Sequence, residues 1–538
     1  MIGADAVVRC LELEGVKTIF GYPGVAICPF FNSILNTDIE AILVRTEQNA
    51  AHAASGYARV TGEVGVCVAT SGPGATNLIT GIATAYADSI PLVCITGQVK
   101  SDLIGNDVFQ EADITGAVES FVKYSYLVKN VDDIPRIMKE AFYIASTGRK
   151  GPVLIDLPMD IQNSLITRFK YPDEVNLRTY KPTVNGHAFQ INKVIKELSR
   201  AKKPIICAGG GVILSDAKEE IRTFAKKFNI PVVTTLMGLS VMRSDDPLYF
   251  GMVGNNGKSY ANRAMNESDL LIMVGARVAD RAVSQPDLIT ENKVLVHIDI
   301  DPAEIGKTVG PHIPLVGDIK NIFNELLKNE FQCDTAAWIS RLTSHKELAP
   351  RRKSPSADYV DPAELIRILS EKMEEDAIYV ADVGQNQMWS CGYYVSKDGR
   401  FLTSGGMGTM GYSIPAAMGA KKADMSKQVI CVCGDGSFQM SMMELGTMAQ
   451  YKIPTKIFIF HNGYLGLVRE YQHRTYKANY SVVDLTGSPE FSSIAKAYNM
   501  KFLRLDNMEN INEQLDNILN EEGSMLIECM IDPMDTVQ

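Results

Sequence analysis

A chain of 538 residues is too long for one ordinary domain, and its length points to about three. Its 46% apolar and 22% charged residues exclude a disordered or fibrous protein. The net charge of −10 argues against a nucleic-acid or anionic-membrane surface, either of which needs clustered Lys and Arg. The 10 cysteines include no CxxC pair, so they read as reduced, mostly buried thiols rather than zinc ligands or a redox dithiol. Asp5, Arg9, Glu12 and Glu14 come too early for a signal peptide, and Gly, Pro or Asp interrupts every long apolar stretch. A cytoplasmic protein with no membrane anchor and no nucleic-acid partner is the expectation.

In chain order the apolar runs are VGVCVAT (64–70), PLVCITG (91–97), GPVLIDLP (151–158), PIICAGGG (204–211), DLLIMVGAR (269–277), VLVHIDID (294–301), AIYVADVG (377–384), QVICVCGDG (428–436) and KIFIFHNG (456–463). Each is bounded by Gly or Pro and separated from the next by helical patterning, as expected of parallel strands in βαβ units. Polar, Pro-containing connections near 165–190 and 340–360 divide the chain into blocks. The prediction is an α/β fold of three doubly wound parallel-sheet domains at 1–165, 188–330 and 358–538. Segments 66–97 and 430–463 share a rhythm of strand, Gly-x-Gly turn, helix, Ile-Pro and strand. A duplication and the common rhythm of doubly wound domains both explain it.

In the third block GDGSF (434–438) follows a strand and opens a helix, and Asn462 follows the next strand. Carboxyl ends of parallel strands are where open α/β sheets bind ligands. Gly434 and Gly436 allow close backbone approach to a diphosphate, and the helix N-terminus favours its charge. Asp435 and the Asn462 side-chain oxygen are hard ligands suited to Mg²⁺.

GDG followed by Asn at this spacing, together with GTMGYSIPAAMGA (408–420), resembles the thiamine diphosphate (ThDP) motif of the pyruvate oxidase, decarboxylase and acetolactate synthase superfamily. FGYPG (20–24), RTEQNAAHAASGYAR (45–59), TSGPGATN (70–77), ITGQV (95–99) and FQEAD (109–113) resemble the pyrimidine-binding domain of acetolactate synthases. The resemblance implies that Asp435, Asn462 and the Tyr464 carbonyl hold Mg²⁺, and that Met410 wedges the cofactor into a bent shape. It places Pro23, Gly24, Gly384, Gln385, Gly408, Ser437, Leu465, Gly466 and Leu467 around ThDP as well. Glu47 would hydrogen-bond the aminopyrimidine ring and so activate the cofactor for proton removal. Phe109 and Gln110 would line the substrate side, although a core aromatic is the plain alternative for Phe109.

In the middle block GGG (209–211), TLMG (235–238), GARVADR (275–281), HIDIDPAEIG (297–306) and GD (317–318) resemble a flavin-binding domain of the same family. The resemblance assigns Arg149, Gly210, Gly211, Leu236, Met237, Gly275, Arg277, Arg281, Asp299, Ile300 and Asp318 to a structural FAD. Arg277 would also face a substrate carboxylate, a task its guanidinium fork suits.

The implied activity is condensation of two pyruvates, or of pyruvate with 2-ketobutyrate, to an acetohydroxy acid with loss of CO₂, a step of branched-chain amino-acid biosynthesis. The implied assembly is a homodimer or homotetramer, with Glu47 reaching the neighbouring chain's cofactor and a small regulatory subunit as a further partner. Another ThDP lyase or carboligase, and a silent paralogue acting as a scaffold, are the alternatives. Departures from the family pattern are Val25, Met159, Asn386, Ala279 and, in place of Trp, Tyr471. The sequence stops at Gln538, where the resembling family continues into an arm that helps close the site. No two of the 7 histidines sit at metal-ligand spacing such as i, i+4, and His52 reads as a packed or solvated helix residue.

Overall fold

Strands without polar alternation need cover on both faces. Gly65–Ala69, Leu92–Gln98, Pro152–Pro158, Pro204–Ala208 and Leu270–Val274 are buried from end to end. The structure is a computed structural model describing every residue except 284, 351, 353, 354 and 538, and omitting the side chains of 287 and 288. Gln538, at which the sequence stops, lies outside the described residues.

Three parallel six-stranded sheets carry the fold. The first contains β1 (Thr18–Tyr22), β2 (Glu40–Leu43), β3 (Gly65–Ala69), β4 (Leu92–Gln98), β5 (Tyr124–Leu127) and β6 (Pro152–Pro158) in the order β2-β1-β3-β4-β6-β5. The second contains β7 (Pro204–Ala208), β8 (Val232–Thr234), β9 (Tyr249–Met252), β10 (Leu270–Val274), β11 (Val294–Asp299) and β12 (Ile313–Val316). The third contains β13 (Ile378–Ala381), β14 (Arg400–Leu402), β15 (Val429–Gly434), β16 (Lys456–His461), β17 (Lys501–Leu505) and β18 (Met525–Met530).

The third sheet runs β14-β13-β15-β16-β18-β17, the same order as the first when each is counted from its own first strand. The two similar segments noted in the sequence span β3 to β4 and β15 to β16, equivalent places in the two sheets. The second sheet runs β9-β8-β7-β10-β11-β12, the 3-2-1-4-5-6 order of dinucleotide-binding folds. Its switch point lies between β7 and β10.

The first and third sheets share one apolar core. Helix Glu47–Thr61 packs on helix Ser413–Ala423 through small residues that bring the backbones together. A Cβ on Gly56 would stand 2.0 Å from the Ala416 carbonyl oxygen, and one on Gly419 would stand 1.8 Å from that of Ala53. Gly419→Val is therefore expected to cost about 3 kcal/mol or more, because neither helix can move without opening the shared core. A melting temperature within a degree or two of the parent would contradict that packing. Among the described residues no helix is long and apolar enough to cross a membrane.

Candidate active site

At the switch point of the first sheet, between β1 and β3, the chain turns through Pro23–Gly24 and Thr70–Gly74. A Cβ on Gly24 would lie 2.5 Å from Thr70, and one on Gly74 would lie 2.7 Å from Thr70 Cγ2 and 3.2 Å from Glu47 Oε1. Glu47 is the first residue of its helix, where the dipole favours a carboxylate. It is buried, and its Oε2 accepts a hydrogen bond from Asn77 Nδ2 at 3.0 Å. Gln110 sits in the left-handed region at φ +60°, with its backbone against Gly72. Gly24, Glu47 and Gln110 thus gather around the Thr70–Gly74 turn.

Phe109, beside them, is 88% exposed, and Val25 is 73% exposed. The core-aromatic reading of Phe109 fails because this loop runs over the outer rim of the sheet. His52 is packed instead. It is fully buried, stands edge-on to Tyr412 at 5.2 Å and has no hydrogen-bond partner on either ring nitrogen. Burial, helped by Arg59, lowers it to about 3, so it stays neutral.

The corresponding switch point of the third sheet holds the second cluster. Gly384, at φ +140°, caps helix Gln385–Tyr393, and Gly434 caps helix Asp435–Ser441, where Ser437 Oγ exchanges hydrogen bonds with the Gly434 backbone. Asp435 is buried, its Oδ2 accepting from Gly463 N at 2.7 Å and its Oδ1 from Gly436 N at 2.9 Å. Burial pushes its carboxyl above the usual range, against the opposing pull of the Gly463 N–H. Among the described residues no Lys or Arg pairs with it; the nearest cationic group is His461 Nε2 at 3.9 Å.

Asn462 donates to Gln385 Oε1 at 3.0 Å and accepts from Tyr464 N at 3.0 Å. A Cβ on Gly466 would run into Gln385, and one on Gly436 would meet Leu465 Cδ2 at 2.9 Å and Met410 Cε at 3.7 Å. Gln385, Met410, Gly436, Asn462, Tyr464, Leu465 and Gly466 therefore converge around Asp435. Asn386, a departure from the family pattern, is buried and donates to the carbonyls of Asp382 and Val432, tying β13 to β15.

The second sheet opens onto a cavity of about 1280 Å³. All eleven residues assigned to flavin line it, as do Gly408, Leu467 and Tyr471. At the switch point Gly209 and Gly211 press against Gly275, a Cβ on Gly209 falling 2.3 Å from the Gly275 oxygen. Asp299 is buried, and burial raises it to about 6. Arg149 spans the first and second sheets, donating to Ser89 and to Glu304. Arg277 makes no ion pair among the described residues, while Arg281 lies 3.8 Å from Asp280.

Sequence reading missed several residues of this region. Asn77 stood inside a quoted motif, but its bond to Glu47 is a matter of tertiary approach. Gly405 and Gly406 line the cavity from a segment no motif covered, and Asp88 and Ser89 from the repeated segment 66–97, to which no site role was assigned.

Three family models match the chain: "Thiamine pyrophosphate enzyme, N-terminal TPP binding domain" over residues 1–117, "Thiamine pyrophosphate enzyme, central domain" over 191–326, and "Thiamine pyrophosphate enzyme, C-terminal TPP binding domain" over 382–529. The chain is 44% identical to a probable acetolactate synthase large subunit of Methanococcus aeolicus, covering 99% of this chain and 92% of that one. It is 45% identical to a probable acetolactate synthase large subunit of Methanocaldococcus jannaschii (100% and 93%) and 44% identical to the acetolactate synthase large subunit of Lactococcus lactis (99% and 93%). With three matched domains and full-length identity at this level, the chain belongs to the acetolactate synthase family of thiamine diphosphate enzymes.

Proposed function

We propose that this chain is the catalytic subunit of an acetolactate synthase, using Glu47 from one protomer and the Asp435–Asn462 cluster from another. The observation that carries the reading is the buried Asp435, with no Lys or Arg partner among the described residues, beside Asn462 and Tyr464 at the strand ends of a domain matched as ThDP-binding. ThDP, when bound, supplies the electron sink that lets a 2-keto acid lose CO₂ and bond through its former keto carbon to a second 2-keto acid.

The residues fit that group. Asp435, Asn462 Oδ1 and the Tyr464 carbonyl are neutral or anionic oxygens suited to Mg²⁺, which usually takes few protein ligands and leaves room for phosphate oxygens. A Cβ on Gly434 would meet only ordinary contacts, the nearest being Asn386 Oδ1 and Ser437 Oγ at 3.9 Å, so no side chain presses on this turn. Glu47 would share a proton with the aminopyrimidine, Met410 would orient the cofactor, and Gln110 and Phe109 would bound the substrate side. For FAD, the fit rests on a cavity large enough for a dinucleotide at the switch point of a sheet with dinucleotide-binding order. Arg277 would hold a keto acid's carboxylate at the mouth of that cavity.

Two observations support a site shared between chains. Among the described residues no hydrogen bond or ion pair joins the Glu47–Asn77–Gln110 cluster to the Asp435–Asn462 cluster within one chain, and Phe109 and Val25 stand exposed beside Glu47. The assembly is accordingly a homodimer or homotetramer. The name "large subunit" borne by relatives supports a smaller regulatory partner, and ten free thiols support a cytoplasmic setting.

The acceptor is pyruvate. Tyr471 is 53% exposed on the cavity wall and leans edge-on toward Tyr476, a smaller and more polar contact than Trp would give to an extra methyl. A methylene in an apolar pocket is worth only about 1–3 kcal/mol, so the weaker contact removes much of the preference for 2-ketobutyrate. With ThDP, Mg²⁺ and equal concentrations of the two keto acids, 2-acetolactate is expected as the main product. A strong excess of 2-aceto-2-hydroxybutyrate would contradict the role of Tyr471. Free acetaldehyde alone would overturn the synthase reading.

A further inference from the structure

Asp88 is the last residue of helix Ile79–Asp88, an end where the helix dipole disfavours negative charge, and it is buried as well. Arg59 balances it, Nη2 standing 2.6 Å from Oδ2, yet the carboxylate does more than close this pair. Its Oδ1 accepts from Gly406 N at 2.7 Å and its Oδ2 from Gly405 N at 3.3 Å, both in the loop between β14 and helix Ser413–Ala423. Arg59 Nη1 donates to the Thr403 carbonyl of the same loop at 2.9 Å.

One turn back on the same helix face, Thr84 Oγ1 lies 2.6 Å from Thr409 Oγ1. A Cβ on Gly406 would fall 2.8 Å from the Ala87 oxygen and 2.9 Å from Asp88 Oδ1, so only glycine allows this approach. The far end of the loop is held by Asp382, whose two oxygens accept from Gly411 N at 3.0 Å and Ser413 N at 2.8 Å. The gripped stretch runs from the wall of the large cavity to Met410, directly after Thr409.

We propose that Thr84 and Asp88 are positioning residues for Met410. The N-terminal domain of each chain, through one face of helix Ile79–Asp88, presets the loop that carries the cofactor wedge of its own C-terminal domain. The inference rests on the reading of Met410 as the residue that meets ThDP. Each end of the loop is fixed by a buried carboxylate, and Thr84 removes the freedom left between them.

The test titrates ThDP, with Mg²⁺ in excess, into the full-length protein and follows tryptophan fluorescence, alongside pyruvate turnover and melting temperature. Thr84→Val keeps the side chain's size and removes only the hydroxyl. It is expected to weaken ThDP binding about threefold to tenfold and to lower kcat, with melting temperature nearly unchanged, and Thr84→Ser should restore both. Asp88→Asn should lower kcat about a hundredfold through misplacement of the loop. If that variant fails to fold, the Thr84 pair decides the matter. Parent-like binding and turnover in Thr84→Val overturn the inference, as does a defect that Thr84→Ser does not repair. Met410→Ala separates the two levels. A parent-like Met410→Ala overturns the reading of Met410 itself, whereas an impaired Met410→Ala beside a parent-like Thr84→Val overturns only the positioning role.

Discussion

Glu47→Gln is expected to lower turnover of pyruvate by about 10²–10⁴-fold while leaving the fold and ThDP affinity close to those of the parent. The substitution keeps the volume of a buried side chain at a helix start, and the amide oxygen can still accept from Asn77 Nδ2, now 3.0 Å from Oε2. What it loses is a carboxylate able to share a proton with a basic ring nitrogen. Gly74 packs close to Glu47, an added Cβ there falling 3.2 Å from Oε1, so the carboxylate sits in a tight turn. Steady-state turnover, paired with calorimetric ThDP binding, makes the measurement. A loss of less than about threefold would remove Glu47 from the chemistry, and a parallel loss of binding would make it a binding residue instead.

Asp435→Ala is expected to abolish Mg²⁺-dependent ThDP binding. Asp435 is the only carboxylate in its cluster of proposed ligands, and among the described residues no three His, Cys, Asp or Glu side chains gather as an alternative metal site. Its two oxygens also hold Gly463 N and Gly436 N, so its loss frees both the loop carrying Asn462 and the Gly434–Gly436 turn. A ligand at a hundredfold excess over its dissociation constant stabilises the folded state by about 2.7 kcal/mol, and the parent should show a corresponding rise in melting temperature with ThDP and Mg²⁺. The variant should show none. An equal rise in both proteins would place the metal elsewhere.

Much of this molecule is set locally. The nine apolar runs read from the sequence each became a strand, since a continuous run of Val, Ile, Leu and Cys between glycines has no stable place except the middle of a covered sheet. Their ends were overrun where the apolar run continued into a glycine turn. The run at 204–211 stops as a strand at Ala208, because Gly209–Gly211 turns into the next helix. Short or half-exposed strands such as β2, β5, β8 and β14 carry too few residues for a period to show, and they exist because a neighbour offers a ladder to pair with. Buried β18, Met525–Met530, carries an apolar run interrupted by Glu528.

The same division holds at the site. Glu47, Asp435, Asn462 and the glycine turns were legible because a strand-end turn, a helix start and a close backbone approach are dictated by neighbours along the chain. Their grouping was not. Arg45 N meets Glu444, Arg59 meets the Thr403 carbonyl and Thr84 meets Thr409, pairs that exist only after two domains have packed through glycine and alanine. The large cavity is likewise lined by loops and helix ends of all three domains. Local sequence determines which residues can bind and where each strand ends, since those depend on backbone geometry over a few residues. Only tertiary packing decides which of those ends face one another, because that depends on the burial of surfaces hundreds of residues apart.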